Sequence, residues 1–332
     1  MAYAPQRVVA VIDRSLAGKR SREILPHLAA DVPIVADVGA ALGLEPSALL
    51  IGVAPQGGRL PGDWRAEVLR GLESGLDVYS GLHDLLQDDA EFVTVAARHG
   101  RALVDLRRPP EVSLFSGAAY DVAIPIVLLV GSDCAVGKMT AALELVRAAR
   151  KRRVRATFVP TGQTGIAIAG WGIAVDRVIA DFAAGAAERL VVEGARRTVD
   201  GAASELLFVE GQGGINHPAY GAVTLALVFG SAPDAFVMVH EAGRTHIDGY
   251  GTPILSYRRL IEIYEELAAG HKPAAVVGIA LNTRRLDERG ARTAIAQARD
   301  ETGLPVDDVV RFGPEALYDA IAPSIRKRER LA

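Results

Sequence analysis

The segment Gly131-Ser132-Asp133-Cys134-Ala135-Val136-Gly137-Lys138-Met139-Thr140 lies between an apolar run, Ile126–Val130, and a helical stretch, Met139–Arg150. Strand, glycine-containing loop, lysine and helix start follow in the order that lets backbone N–H groups and a helix N-terminus cradle a di- or triphosphate while Lys138 neutralises it. Such loops place Ser or Thr after Gly-Lys, because its hydroxyl binds the Mg²⁺ that bridges the terminal phosphates. Here that position is Met139. A thioether is a poor ligand for a hard, oxygen-seeking cation, which weakens Mg²⁺-dependent cleavage of a terminal phosphate as a reading. Thr140 can still reach a phosphate oxygen. An anion cradle without the metal hydroxyl suits a pyrophosphate that is held and not broken, as in coenzyme A. Ser132, Asp133, Cys134, Gly137, Lys138, Met139 and Thr140 are therefore the candidate cofactor-binding residues. Cys134 at a helix N-terminus has the setting of a lowered thiol pKa, although a small residue filling a tight loop is the plainer reading.

Five further polar loops invite chemistry. Glu210-Gly211-Gln212-Gly213-Gly214-Ile215-Asn216-His217-Pro218 begins at the end of an apolar run. Partial burial there raises a carboxyl pKa toward the range of a useful base, so Glu210 and His217 are the candidate proton acceptors. Thr161-Gly162-Gln163-Thr164-Gly165 offers hydroxyls and an amide; Thr161, Gln163 and Thr164, with Gln212, are the candidate substrate contacts. In His240-Glu241-Ala242-Gly243-Arg244-Thr245-His246, Arg244 is a candidate bidentate clamp for a carboxylate, and Arg59 in Ala54–Pro61 is a second. Asn282-Thr283 stands where a phosphate-loop fold often reads the base, so Asn282 is the candidate adenine contact. No metal-type His/Cys/carboxylate spacing such as H-E-x-x-H occurs, and no metal is expected. The cations between Arg147 and Arg155 read as a solvated helix end, with a site for an extra nucleotide phosphate as the sharper alternative, and Arg326–Arg330 as a solubilising tail.

These loops need a scaffold that brings them together. Short Val/Ile-rich runs alternate with Ala/Leu/Arg/Glu helical stretches, the pattern of βαβ units and a mostly parallel sheet. Val8–Ile12, Ile34–Val38 and Leu49–Val53 are expected strands of a first α/β unit, with helices over Asp63–Glu73 and Ser80–Asp88. The prolines and glycine of Arg107–Tyr120 mark a linker. The expected domains are 1–115, Rossmann-like, and 116–332, a phosphate-loop doubly wound sheet, with the loops Ala54–Pro61 and Ser80–His83 facing the cleft between them. In the second domain Ile126–Val130, Arg155–Pro160, Leu206–Glu210, Phe236–His240 and Val276–Leu281 are expected strands, each followed by one of the polar loops. Ligands sit outside the carboxyl ends of such strands, so the five loops predict one site.

The 332 residues exceed one typical domain and are 50% hydrophobic and 23% charged, an ordinary globular composition. A net charge of -3 gives no general pull toward nucleic acid or membrane. A single cysteine excludes an intrachain disulfide, and the absence of a signal-like segment fits a cytoplasmic protein.

The DCAVGKMT and VEGQG…HPAYG segments, with Thr161–Gly165, Ala54–Pro61 and Ser80–His83, resemble the two-domain family that includes the bacterial D-glutamate N-acetyltransferases, over nearly the whole chain. The resemblance implies an N-terminal Rossmann-like domain, a C-terminal phosphate-loop domain, acetyl-CoA as donor and an amino acid as acceptor. The second domain also looks like dethiobiotin synthetase, an ATP-dependent carboxylase, but departs from it at Met139. It also reads GQGGINHPAYGAV where that enzyme's pattern calls for a Ser near the third glycine and after Tyr220. The expected activity is acetyl transfer to the amino group of D-glutamate or a similar acidic amino acid. The rivals are a Mg-ATP-dependent ligase or kinase and a nucleotide-sensing module without turnover. The expected partners are a small-molecule amino acid and further copies of the chain.

Overall fold

A computed structural model of the chain describes residues 1–4, 7–26, 28–53, 55, 57–325. The Arg326–Arg330 cluster lies outside the described residues, as do Ala54 and Gln56 of the loop that carries Arg59. Contacts divide the chain into two compact units, Met1–Arg108 and Pro109–Ala332.

The first unit runs β1 (Val11–Ile12), α1 (Ser21–Ile24), β2 (Ile34–Val35), α2 (Val38–Ala41), β3 (Ala48–Ile51), α3 (Arg65–Glu73), β4 (Asp77–Ser80), α4 (Ala90–His99) and β5 (Leu103–Asp105). β1 pairs with β2, and β3, β4 and β5 pair in that order, all parallel. Ile51, Val68, Leu72, Val78, Leu82, Leu86 and Phe92 form its core. The helix expected over Ser80–Asp88 is absent: Ser80 ends β4, and only Leu86–Asp88 turns, as a 3-10 element. The chain is held there by tertiary bonds, because Asp105 accepts the amides of Leu86 (2.8 Å) and Gln87 (3.0 Å) and Arg107 donates to the Gly81 carbonyl (2.6 Å). Propensity yields to those contacts.

The second unit continues with β6 (Ile126–Gly131), α5 (Lys138–Lys151), β7 (Ala156–Val159), α6 (Gln163–Ala169), α7 (Ala180–Arg196), a small hairpin of β8 (Thr198–Val199) and β9 (Ala202–Ala203), and β10 (Leu206–Val209). It is completed by α8 (Gly221–Ser231), β11 (Ala235–Glu241), α9 (Tyr257–Ala269), β12 (Ala275–Asn282), α10 (Glu288–Thr302), β13 (Val306–Asp307) and α11 (Glu315–Ile321). Six strands form one parallel sheet in the order β13-β12-β11-β6-β10-β7. Alternate side chains serve the two faces: Ile126, Leu128 and Val130 enter the cluster under α7 and α8, while Val127 and Leu129 enter the one under α5 and α11. Both faces are covered, so the strands are apolar throughout, as a doubly wound sheet requires. The order reverses at β6, and the carboxyl ends of β6, β10 and β11 frame the crevice where such sheets bind ligands. Among the described residues no helix is long and apolar enough to cross a membrane.

The segment Pro109–Phe115, placed with the first domain on sequence grounds, packs with the second unit. Val112 and Phe115 lie against its core, and Arg189 of α7 donates to the Glu111 carbonyl (3.0 Å). Just beyond it the buried Glu188 carboxylate of α7 takes the Ser116 amide (2.8 Å) and hydroxyl (2.9 Å) and the Gly117 amide (2.8 Å). Glu188→Ala leaves those donors without an acceptor and is expected to cost about 3 kcal/mol, a fall of roughly 10 °C in the unfolding midpoint. A thermal melt checks this; a midpoint unchanged within a degree or so would show that the connection is held by apolar packing instead.

Candidate functional site

The five loops expected at strand ends are tied together by hydrogen bonds. Lys138, the first residue of α5, folds its ammonium back onto the Asp133 carbonyl (2.7 Å) of its own loop and the Gly213 carbonyl (2.6 Å) of the loop after β10. Gly137 precedes it at φ 111, a conformation that needs glycine. Lys138 is buried, and burial pulls its ammonium down to about 8. Met139 points away and packs against the apolar cluster under the sheet, so the position ordinarily given to a metal-binding hydroxyl serves the core.

Asp133 has no exposed surface. Its Oδ1 accepts the Cys134 amide (2.7 Å), and its Oδ2 accepts Arg244 Nη1 (2.9 Å) and the Asp248 amide (2.9 Å). Arg244 also donates to the Cys134 carbonyl (3.0 Å) and to the Glu241 carboxylate, with 12% of its side chain exposed. It is therefore a brace between β11 and the phosphate loop, and its fork is spent on protein groups. The structure thus gives Arg244 a bracing role beside the substrate clamp expected from the sequence. Arg59 is exposed in the first unit. Asn282 is likewise a brace: its Nδ2 donates to the Val136 carbonyl (3.1 Å) and its Oδ1 accepts the Arg284 amide (3.2 Å), which leaves one N–H and one lone pair of the amide for a ligand.

Glu210 follows β10 and sits behind the loop lysine. Its Oε2 accepts the amides of Thr161 (2.9 Å) and Gly162 (3.1 Å), and the Thr161 hydroxyl donates to its carbonyl (2.9 Å). Burial pushes the Glu210 carboxyl up to about 7, against the two amides and the Lys138 charge. Two glycines make the room: a Cβ on Gly165 would collide with the Glu210 carboxylate, and one on Gly211 with the Leu129 carbonyl oxygen. Thr161 and Gln212 are partners of each other, Gln212 Nε2 donating to the Thr161 carbonyl (2.6 Å), so Thr161 shapes Glu210. Gln163 and Thr164 open α6 beside it, Thr164 exposed.

His217 is buried between Tyr220 and Tyr250, with ring centroids 4.6 and 5.2 Å away. Its Nδ1 accepts the amides of Ala219 (3.1 Å) and Tyr220 (3.2 Å), and burial holds its pKa below the usual value. The neutral ring therefore carries its proton on Nε2, which faces Asp133 Oδ1 at 3.7 Å. Such a histidine is a hydrogen-bond donor toward the site and not the proton acceptor expected of it. His240, bonded through Nδ1 to the Ser132 hydroxyl (2.7 Å), is drawn down to about 4 by burial and the Arg244 charge, so it too stays neutral.

Asp133, Cys134 and His217 bring one ligand atom each within 4.8 Å of one another, a convergence that no sequence spacing announces. The donors do not suit a metal. Both Asp133 oxygens are engaged, burial pushes the Cys134 thiol up despite Lys138, and a metal-bound histidine donates from its second nitrogen whereas His217 Nδ1 accepts. Sequence reasoning missed Glu241, the buried anchor of Arg244, and Tyr264 of α9, whose hydroxyl joins the Gly131 carbonyl (2.8 Å) to the Ile215 amide (3.2 Å). It also missed Asn216, whose Oδ1 is buried without a hydrogen-bond partner and so waits for a donor.

The Glu210 shift has a consequence for stability. Between pH 4.5 and about 7 the folded protein keeps a proton there that the unfolded chain has released, so stability falls as pH rises across that window and the loss is complete above it. Glu210→Gln removes the ionisation, and is expected to raise stability relative to the parent at pH 8, by an amount on the order of 3 kcal/mol, with the difference shrinking by pH 5. Denaturant unfolding at the two pH values checks it; a difference independent of pH would contradict the raised carboxyl.

Comparison with other proteins agrees with this architecture. Residues 14–109 match "Domain of unknown function (DUF1611_N) Rossmann-like domain" and residues 113–318 match "Domain of unknown function (DUF1611_C) P-loop domain". A protein of Tritonibacter scottomollicae named D-glutamate N-acetyltransferase is 38% identical over 82% of this chain and 80% of its own length. A Pseudoalteromonas protein of the same name is 35% identical over 81% of this chain and 79% of its own. The crystal structure of a DUF1611 family protein from Anabaena variabilis superposes with a TM-score of 0.88 at 43% identity, covering 95% of this chain and 91% of that one. The chain belongs to the DUF1611 family, whose Rossmann-like and P-loop domains it carries in that order and whose relatives include the bacterial D-glutamate N-acetyltransferases.

Proposed function

We propose that the protein is an N-acetyltransferase that moves acetyl from acetyl-CoA to the amino group of D-glutamate or a similar acidic amino acid. The names of the two bacterial relatives support the activity and the acceptor. The observation that carries the chemistry is Glu210, a buried carboxyl near neutrality set beside the lysine of an anion cradle whose metal position is Met139.

In this reading the loop amides over Ser132–Thr140 and Lys138 hold the CoA pyrophosphate. Glu210 in its ionised form takes a proton from the substrate ammonium, and the freed nitrogen attacks the thioester carbonyl. The C–N bond forms and the C–S bond breaks. One proton returns from Glu210 to the departing thiolate, and the second proton lost by nitrogen goes to solvent. The His217 Nε2–H and the glycine-loop amides are donors for the carbonyl oxygen as its charge develops. Asn216 Oδ1 is an acceptor for the substrate's N–H. Cys134 stays a thiol in the tight loop, and no covalent acyl-enzyme is required.

Thiol release from acetyl-CoA, followed across D- and L-amino acids, tests the reading. Release is expected with D-glutamate and is expected to fall by about 10²-fold or more in Lys138→Ala and in Glu210→Ala. The parent's rate is expected to rise with pH through an ionisation near 7 that Glu210→Gln abolishes, because the base must be unprotonated. Release unchanged in both alanine variants would remove the site, and no release with any amino acid would remove the function.

A further inference from the structure

Glu241 ends β11 with 1% of its side chain exposed and is surrounded by guanidinium groups. Arg244 donates to one carboxylate oxygen, while Arg284 Nε (3.0 Å) and Arg285 Nε (2.8 Å) converge on the other. Counting Asp133, the second partner of Arg244, this cluster sets three cations against two carboxylates. Arg284 and Arg285 are engaged only through Nε among side-chain partners, so their terminal Nη edges carry no protein acceptor among the described residues. Their side chains are 57% and 68% exposed. The pair is wired to the phosphate loop: the Arg284 amide donates to Asn282, Asn282 donates to the Val136 carbonyl, and Arg244 donates to the Cys134 carbonyl. In the other basic stretch five of the six cations are spent on protein groups. Arg147, Lys151, Arg152 and Arg155 are paired with Glu144, Glu315, Asp319 and Glu205, and Arg150 with the Ala156 carbonyl.

We infer that Arg284 and Arg285 form a second anion site for the 3′-phosphate of coenzyme A, and so select CoA thioesters over adenine nucleotides and dephospho-CoA. A guanidinium paired through Nε with a buried carboxylate turns its other edge of two N–H donors outward, the geometry that suits a phosphate monoester. Fixing it before the ligand arrives removes part of the entropic cost of binding. A diphosphate in the loop needs only the loop amides and Lys138; a separate pair of cations, joined to the loop through Asn282, answers a separate phosphate on the same ligand. Of the two donors weighed on sequence grounds, acetyl-CoA carries such a group and ATP does not.

The inference rests on the acetyl-CoA reading above, and the test separates the two. Coenzyme A and 3′-dephospho-coenzyme A are titrated against the whole protein by calorimetry, and their acetyl thioesters are compared in the thiol-release assay with D-glutamate. The parent is expected to favour the 3′-phosphorylated form by about tenfold or more in both measurements. Arg284→Ala/Arg285→Ala is expected to bring that preference close to unity, and Arg284→Lys/Arg285→Lys to keep part of it, since charge remains without the fork. Arg285→Ala alone leaves Glu241 two partners and guards against loss of fold, which a thermal melt monitors; it is expected to reduce the preference by several-fold. Equal handling of both thioesters by the parent, or an undiminished preference in the double alanine variant, would overturn the inference while leaving acetyl-CoA as donor. Consumption of neither thioester would overturn both.

Discussion

Asp133 puts a carboxylate with no solvent exposure into the middle of the phosphate loop, and the surrounding loops are hung on it. Its oxygens take the Cys134 amide from the loop itself and the Arg244 guanidinium and Asp248 amide from the segment after β11, and they face the His217 ring of the segment after β10. A buried charge is costly unless its partners are fixed, so this arrangement demands that Arg244 stay in place. Arg244 is fixed in turn by Glu241, and Glu241 by Arg284 and Arg285. The shape of the anion cradle is thus set by an alternating chain of charges, with Asn282 and Tyr264 as neutral braces.

On the other side of the loop, burial acts on two groups in opposite directions. It raises the Glu210 carboxyl to about 7 and lowers the Lys138 ammonium to about 8. Each is thereby brought into the range where a proton can be exchanged near neutral pH, which is the property a proton acceptor for an amine needs. The same loop in a phosphate-cleaving protein would place a hydroxyl on a metal, whereas Met139 turns that position into core packing. In the function proposed above, the loop holds a phosphate while a proton moves nearby.

The scaffold of the second unit is plain from the sequence because its strands are buried on both faces: continuous runs such as Ile126–Val130 and Leu206–Val209 match no solvated element. The phosphate loop is equally plain, since its chemistry is carried by residues adjacent in the chain. What the sequence does not carry are roles that depend on a partner far away. Arg244 and Asn282 have side chains suited to a ligand, and only the structure shows them committed to Asp133 and Val136. For His217 the reason is finer: two backbone amides on Nδ1 decide which nitrogen bears the proton. In the first unit the stretch after β4 has helical composition, yet Asp105 and Arg107 hold it otherwise. No periodicity reports a tertiary bond of that kind.

In the proposed function the phosphate loop supports acyl transfer with Glu210 as base and takes no part in metal-assisted cleavage of a nucleotide. The decisive measurement follows N-acetyl-D-glutamate formation from acetyl-CoA and D-glutamate with excess EDTA and no nucleotide present. An undiminished rate is expected under those conditions. Product formation that requires Mg²⁺ and ATP, with ADP appearing in step with it, would instead mark the protein as an ATP-dependent ligase.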